Sequence, residues 1–376
     1  MKKEYAFFII IFITIALISC SSKEKSPEDL CGDGICQKIE LQRNLCPEDC
    51  DNAQQQVPDT NDNQQNKEPE PTETSYNQDT YEYQVVEKEA AWTSSIQYTK
   101  ISETEKTIDG VDLLITEYTV TNPTTGALLE TTIYAPKDAS SSHMYPAVIL
   151  VPGGTVGKSG FSEGKGPSGI SKAETISSAG FVTLTFSPDG REGSTGTEQY
   201  NGYNSQDGLY EEYRFLKEYE GVDEDNIGLV SYSYGVALAS GMLGRYQPDI
   251  RFFIEWEGPV NRYYVSIGCK GSVSAVQSGV TCNDNDYWNE REALRFVPYF
   301  PIDYFVILQS SDDHVQPTVQ HSVDMNNKAI QYLPWTRVNG QENAVNTAYT
   351  VDTLPVLDDI EIETQRIKIL KELAGY

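Results

Sequence analysis

The sequence predicts an α/β protein with a mostly parallel sheet covered by helices on both faces. From residue 91 onward, short apolar runs alternate with helix-patterned stretches. Runs such as "PAVILV", "RFFIEW" and "YFVIL" are nearly continuous in apolar residues, the pattern of strands buried on both faces. The length of 376 residues suits one large α/β domain with appendages.

The appendages come first. Lys2 and Lys3 precede an apolar run over 5–18 that ends in "LISC", residues 17–20. A basic start, an apolar centre and small residues at the end mark an export signal over 1–20. "LISC" resembles the lipobox of bacterial and archaeal lipoproteins, which implies cleavage before Cys20 and lipid on its thiol. A transmembrane anchor is the alternative, although the run is shorter than the roughly 20 residues a span needs. Either places the rest outside the cytoplasm, held at the cell membrane.

The cysteines agree with export. Setting Cys20 aside leaves six of seven: Cys31, Cys36, Cys46, Cys50, Cys269 and Cys282. An even remainder in an exported chain implies disulfides. The first four lie in a module over 21–50, lack paired CxxC spacing and allow three pairings. Cys269 with Cys282 would close a loop contributing roughly 3 kcal/mol. "CGDGICQKIELQRNLCPEDC" resembles the small CGDG…CPxDC modules of exported proteins. Residues 51–90 are rich in Gln, Asn, Pro and Glu, a composition that cannot repay its ordering entropy, so they read as a flexible acidic stalk. The stretch 21–90 carries 17 acidic against 6 basic residues, and the whole chain has a formal charge of −28. That balance argues against a nucleic-acid partner.

In the domain over 91–376, "VDLLITEYTV" and "LLETTIYAP" read as antiparallel strands and "PAVILVPGG" as a central one. "SKAETISSAG" is helical, "FVTLTFSP" a strand, and a long polar loop follows. "GLYEEYRFLKEYEG" is a helix, "NIGLVSYSYG" a strand ending in a sharp turn, and "VALASGMLGRY" a helix. "RFFIEWEG" and "YFVILQSS" are buried strands. "NEREALRFV" between them reads as a connecting helix inside an insertion over 259–300. "HSVDMNNKAIQYL" is helical, "WTRVN" a short strand, and residues 358–373 close the chain as an amphipathic helix. Ligands of such sheets bind at the carboxyl ends of the strands.

The sharp turn concentrates the chemistry. Ser231-Tyr232-Ser233-Tyr234-Gly235 matches G-x-S-x-G with serine in the first glycine's place. A serine hydroxyl attacks only when a base takes its proton and a tight corner exposes it. The oxyanion then needs two donors: the Tyr234 N–H and one from "VPGGTVG", where Gly153 or Gly154 lets the backbone approach.

These features, with two further loops, give the chain from about residue 111 onward a resemblance to α/β-hydrolases. It is similar to the branch of prolyl oligopeptidase catalytic domains, dienelactone hydrolases and acetyl xylan esterases. "SPDGREGSTG" resembles that branch's D-x-R-G-x-G-x-S loop. "ILQSSDDHVQP" resembles its G-x-x-D-x-x-V acid loop, which implies that Asp312 is the acid. The family's histidine follows the last strand, but "WTRVNGQENAVNTAYTVDTLPVL" contains none.

Three histidines exist: His143 before the central strand, at the wrong end of the sheet, His314 in the acid loop, and His321 in the next helix. His314 is the expected base, because its loop follows the strand end where Asp312 is expected to face the site; His321 is the alternative base, and Glu257, where some relatives carry their acid, the alternative to Asp312. His321 is expected to face solvent or Met325. Alternatively the chain is a non-catalytic binding protein on this scaffold, or "DDH" holds a metal. The insertion, with Tyr263, Tyr264, Tyr287 and Trp288, is either a roof over the site or a plain connection. The expectation is an exported serine hydrolase of small esters or peptides, using Ser233 and neither cofactor nor metal.

Overall fold

A computed structural model describes residues 86–163, 169–265, 280–313, 316 and 318–376. Cys20, the cysteines at 31, 36, 46 and 50, Cys269 and His314 lie outside them, as do the signal, the cysteine module and most of the stalk.

Among the described residues nine strands form one sheet: β1 (Tyr98–Ile108), β2 (Val111–Thr121), β3 (Leu128–Pro136), β4 (Tyr145–Val151), β5 (Val182–Ser187), β6 (Val222–Tyr232), β7 (Phe252–Trp256), β8 (Tyr304–Leu308) and β9 (Thr336–Val338). Their order is β1-β2-β3-β5-β4-β6-β7-β8-β9. The first three form an antiparallel flank that joins β5, and from β5 through β4 to β9 every pairing is parallel. All the expected strands are present. The expectation omitted β1, whose "YTKISETEKTI" has no apolar alternation and is exposed along almost its whole length. It is held by its ladder with β2 and by Tyr98 against Tyr118 and Phe215. Its charges guard an open sheet edge.

Helices cover both faces, as the buried strands require. Alternation along β4 sends Ala147, Ile149 and Val151 to one core and Val148 and Leu150 to the other. The first core lies under α3 (Tyr203–Lys217) and α4 (Gly235–Tyr246), through Leu209, Leu216, Val236 and Leu243. The second lies under α2 (Lys172–Ser178) and α8 (Asp359–Ala374), through Ile176, Ile369 and Leu373. Fully burying such a side chain contributes about 1.5–3 kcal/mol. Capping boxes start both latter helices, Ser171 with Glu174 and Asp358 with Glu361. The short α1 (Ser159–Ser162) follows β4, and α7 (Gln320–Ala329) links β8 to β9.

The insertion departs from the expected single helix. "NEREALRFV" is split by a turn between α5 (Asn285–Asn289) and α6 (Ala293–Phe296). At the break Glu292 pairs with the buried Arg262. Cys282 is disulfide-bonded, and its expected partner Cys269 lies outside the described residues.

Candidate active site at the β6–α4 corner

β6 ends at Tyr232 and α4 begins at Gly235, leaving Ser233 and Tyr234 to make the turn. Ser233 takes φ 49, a left-handed conformation rare for a residue with a Cβ. Two ties hold it there. Its amide donates to the Trp256 carbonyl at 2.8 Å, and its carbonyl accepts from the Val236 amide at 3.1 Å. The small flanking residues are required by close packing. A Cβ on Gly235 would stand 2.8 Å from the Val151 and Pro152 carbonyl oxygens. One on Gly153 would overlap the Tyr232 carbonyl and lie 2.9 Å from Ser233 Cβ. The "VPGG" loop therefore lies directly against the serine corner.

Tyr234 caps α4 with its backbone, so its N–H precedes the helix's own hydrogen bonds. Its carbonyl accepts from Asn201 Nδ2 at 2.6 Å, and Asn201 Oδ1 accepts from Arg191 Nη2 at 2.7 Å. Arg191, buried, is held by Glu198. The polar loop after β5 thus braces the corner through Asn201, a residue the sequence reading missed. The Tyr234 ring is buried with Tyr200, Ala237, Val265, Val280 and Trp288. Residues of the insertion consequently pack on the side chain next to Ser233, and burial drives the Tyr234 phenol well above its ordinary range.

Glu192 stands where the family loop has glycine and adopts φ 48. Its carboxylate accepts from the Gly157 amide at 2.8 Å, the Ser159 amide at 3.2 Å and Ser187 Oγ at 2.9 Å. Burial alone would raise its pKa, but these bonds and one from Ser159 Oγ hold it below the usual carboxylate range. It anchors the loop that carries Gly153 and Gly154.

The candidate acids differ sharply. Glu257 follows β7, is buried, has φ 50, and accepts from the Ser310 amide at 2.8 Å. Asp312 is exposed. Neighbouring Asp313, named in the sequence only within "DDH" as a possible metal ligand, is the acid-loop carboxylate that turns inward. It meets His321, with Nε2 and Oδ2 at 2.8 Å.

His321 corrects an expectation. It does not face solvent: it is fully buried, and its Nδ1 lies 2.9 Å from the Gly258 carbonyl. Its burial follows from packing of α7 against the insertion, β8 and β9, which periodicity alone could not reveal. His143 is exposed at the amino end of β4, 3.0 Å from Asp138, as its place before that strand suggested. In the loop after β9, where the family carries histidine, Asn339 donates to the Gln309 and Pro355 carbonyls at 3.1 and 2.8 Å.

No protein-family model matches the chain, and no curated protein matches it in sequence. Solved structures match in shape. Acetyl xylan esterase 1 from Thermoanaerobacterium sp. JW/SL YS485 superposes with TM-score 0.50 at 11% identity, over 74% of this chain and 89% of that one. The acetyl xylan esterase from Paenibacillus sp. R4 gives 0.52 at 12%, over 75% and 90%. A puromycin hydrolase gives 0.50 at 12%, over 72% of this chain and 47% of its own. With the strand order and the serine corner between β6 and α4, these likenesses show that the chain has the α/β-hydrolase fold.

Proposed function

We propose that the protein is a serine hydrolase acting on an ester or amide through an acyl-enzyme. The observation that carries this reading is Ser233 held at φ 49 with Gly153 against it. Strain of this kind costs about 1–3 kcal/mol and persists where surroundings enforce it. Ser233 Oγ bonds to the carbonyl carbon as its proton passes to a base. The oxyanion is held by N–H groups of Tyr234 and of Gly153 or Gly154. Collapse expels the alcohol or amine with that proton, and water then splits the acyl–serine bond and restores Ser233. His314 is the proposed base, with Glu257 or Asp312 orienting it. Support for this choice comes from its loop: Ser310 and Asp313 on one side of His314 are tied to Glu257 and, through His321, to Gly258.

The substrate class we propose is a small ester or short peptide, in keeping with esterases and a hydrolase among the structural neighbours. Export and lipid attachment at Cys20 are part of the same proposal. Cys20→Ser should release the chain from membranes or leave its precursor uncleaved. A fluorophosphonate probe tests the chemistry: rapid labelling of wild type, abolished in Ser233→Ala, is expected. Absence of labelling in wild type favours the second reading, a binding protein on this scaffold. That reading is favoured by the asparagines, bonded to backbone carbonyls, in the loop after β9.

A further inference from the structure

His321 is enclosed by hydrogen-bond acceptors. The Gly258 carbonyl can only accept, so Nδ1 must carry a proton. Nε2 faces Asp313 Oδ2. That carboxylate also accepts from the Gln316 amide at 2.9 Å and from Gln309 Nε2 at 3.2 Å, one bond on each oxygen. Bonds accepted on both oxygens favour the ionised carboxylate, to which Nε2 donates as well, and the ring is then an imidazolium.

Carboxylates from the loop after β8 and from β7 compensate that charge, and the insertion closes over it. Asp313 comes from the loop after β8. Glu255, fully buried on β7, faces the ring, with Glu257 beyond the strand end. Tyr264, from the insertion, stands 6.0 Å from the ring centre and donates its hydroxyl to Asp324 on α7. Desolvation works against protonation, yet the Asp313 bond and the Glu255 charge outweigh it and raise the His321 pKa. Around this ion, Ser322 Oγ donates to Gln309 Oε1 at 2.6 Å, Gln316 Nε2 donates to the Tyr264 carbonyl, and the Gly258 amide donates to Glu255.

We infer that His321 is a positively charged positioning residue. It joins Gly258, beside the serine corner, to Asp313 in the acid loop, and does not receive the proton of Ser233. The inference rests on the serine-hydrolase reading for its catalytic consequence, but its geometry stands apart from it. Holding Asp313 against Gly258 keeps Ser310 on Glu257, within one strand spacing of Ser233.

The test uses the full chain in detergent with 15N-labelled histidine, where three rings are observed. At pH 8 one ring should carry protons on both nitrogens, disappear in His321→Gln, and become neutral in Asp313→Asn. A neutral His321 at pH 7 overturns the inference. Amide exchange of Ser310 should quicken in His321→Gln, with β6 unchanged; equal protection in both proteins also overturns it. On p-nitrophenyl acetate, His321→Ala should lower kcat about 100-fold, the cost of a misplaced group. His321→Gln, which keeps donors, should recover part of that loss and still label at Ser233. Loss of labelling in both variants as complete as in Ser233→Ala would make His321 the base and defeat the inference. If wild type does not label, the hydrolase reading fails, and the ring protonation and Ser310 exchange still decide the strut.

Discussion

Ser233 and Glu257 leave adjacent parallel strands through the same left-handed conformation, φ 49 and φ 50, and the Ser233 amide donates to the carbonyl of the residue before Glu257. Neither residue type prefers this geometry. Two such departures side by side place a hydroxyl and a buried carboxylate at one end of the sheet.

The strain at Ser233 should be measurable apart from its chemistry. Ser233→Ala and Ser233→Gly should both abolish probe labelling and ester hydrolysis. The glycine variant should melt no lower than the alanine one, because release of the left-handed strain offsets the usual 0.5–1 kcal/mol or so that glycine costs. Thermal melts that place glycine clearly below alanine would show an unstrained corner. Ser231→Ala should keep its activity, since its side chain is buried and precedes the turn.

Glu257→Gln should be the more damaging of the two acid substitutions. Its carboxylate is buried and hydrogen-bonded, whereas Asp312 is exposed. Replacing an orienting acid by its amide costs up to about 10⁴-fold in kcat. Steady-state rates for Glu257→Gln and Asp312→Asn decide the matter. A large loss confined to Asp312→Asn would return the acid's role to the position that the family resemblance implies.

Glu192 should matter to turnover through the loop it anchors. In Glu192→Ala the amides of Gly157 and Ser159 lose their acceptor, and kcat should fall about 10- to 100-fold with KM less affected. Glu192→Gly relieves the φ 48 strain yet removes the same anchor, so it should lose activity while remaining as stable as wild type or more so. Wild-type kcat in Glu192→Gly would show that the anchor has no catalytic consequence.

Glu212 makes stability depend on pH. It is fully buried on α3, bonded to Thr131 Oγ1 at 2.6 Å, and burial pushes its carboxyl up to about 8. The unfolded chain gives up this proton near its ordinary value of 4.5, so between there and about 8 the native state binds the extra proton. Stability from this group is therefore whole below pH 4.5 and is lost as pH rises toward 8. Glu212→Gln should melt near wild type at pH 5 and higher than it at pH 8.5. The same difference at both pH values would mean that the carboxyl titrates normally in the fold.

How far the chain could be read depended on the range of the forces involved. Apolar runs disclosed β4, β7 and β8 because a strand buried on both faces is nearly apolar throughout. β1 escaped because its partner is a backbone ladder, which leaves no trace in side-chain pattern. "SYSYG" betrayed the corner because Gly235 answers a local steric demand, the carbonyls of Val151 and Pro152 at 2.8 Å from any Cβ.

By itself the sequence determined the sheet, its helical cover and the serine at a strand–helix corner, all consequences of local conformation and of which residues avoid water. Only the tertiary structure decided which polar groups meet. His321 faces Asp313 and Gly258, Asn201 holds Tyr234, and Glu192 holds Gly157, with partners up to 63 residues apart. A buried charge or amide is stable only where its partner arrives, and that arrival is set by packing of the whole domain. No local pattern distinguishes the inward Asp313 from the exposed Asp312 beside it.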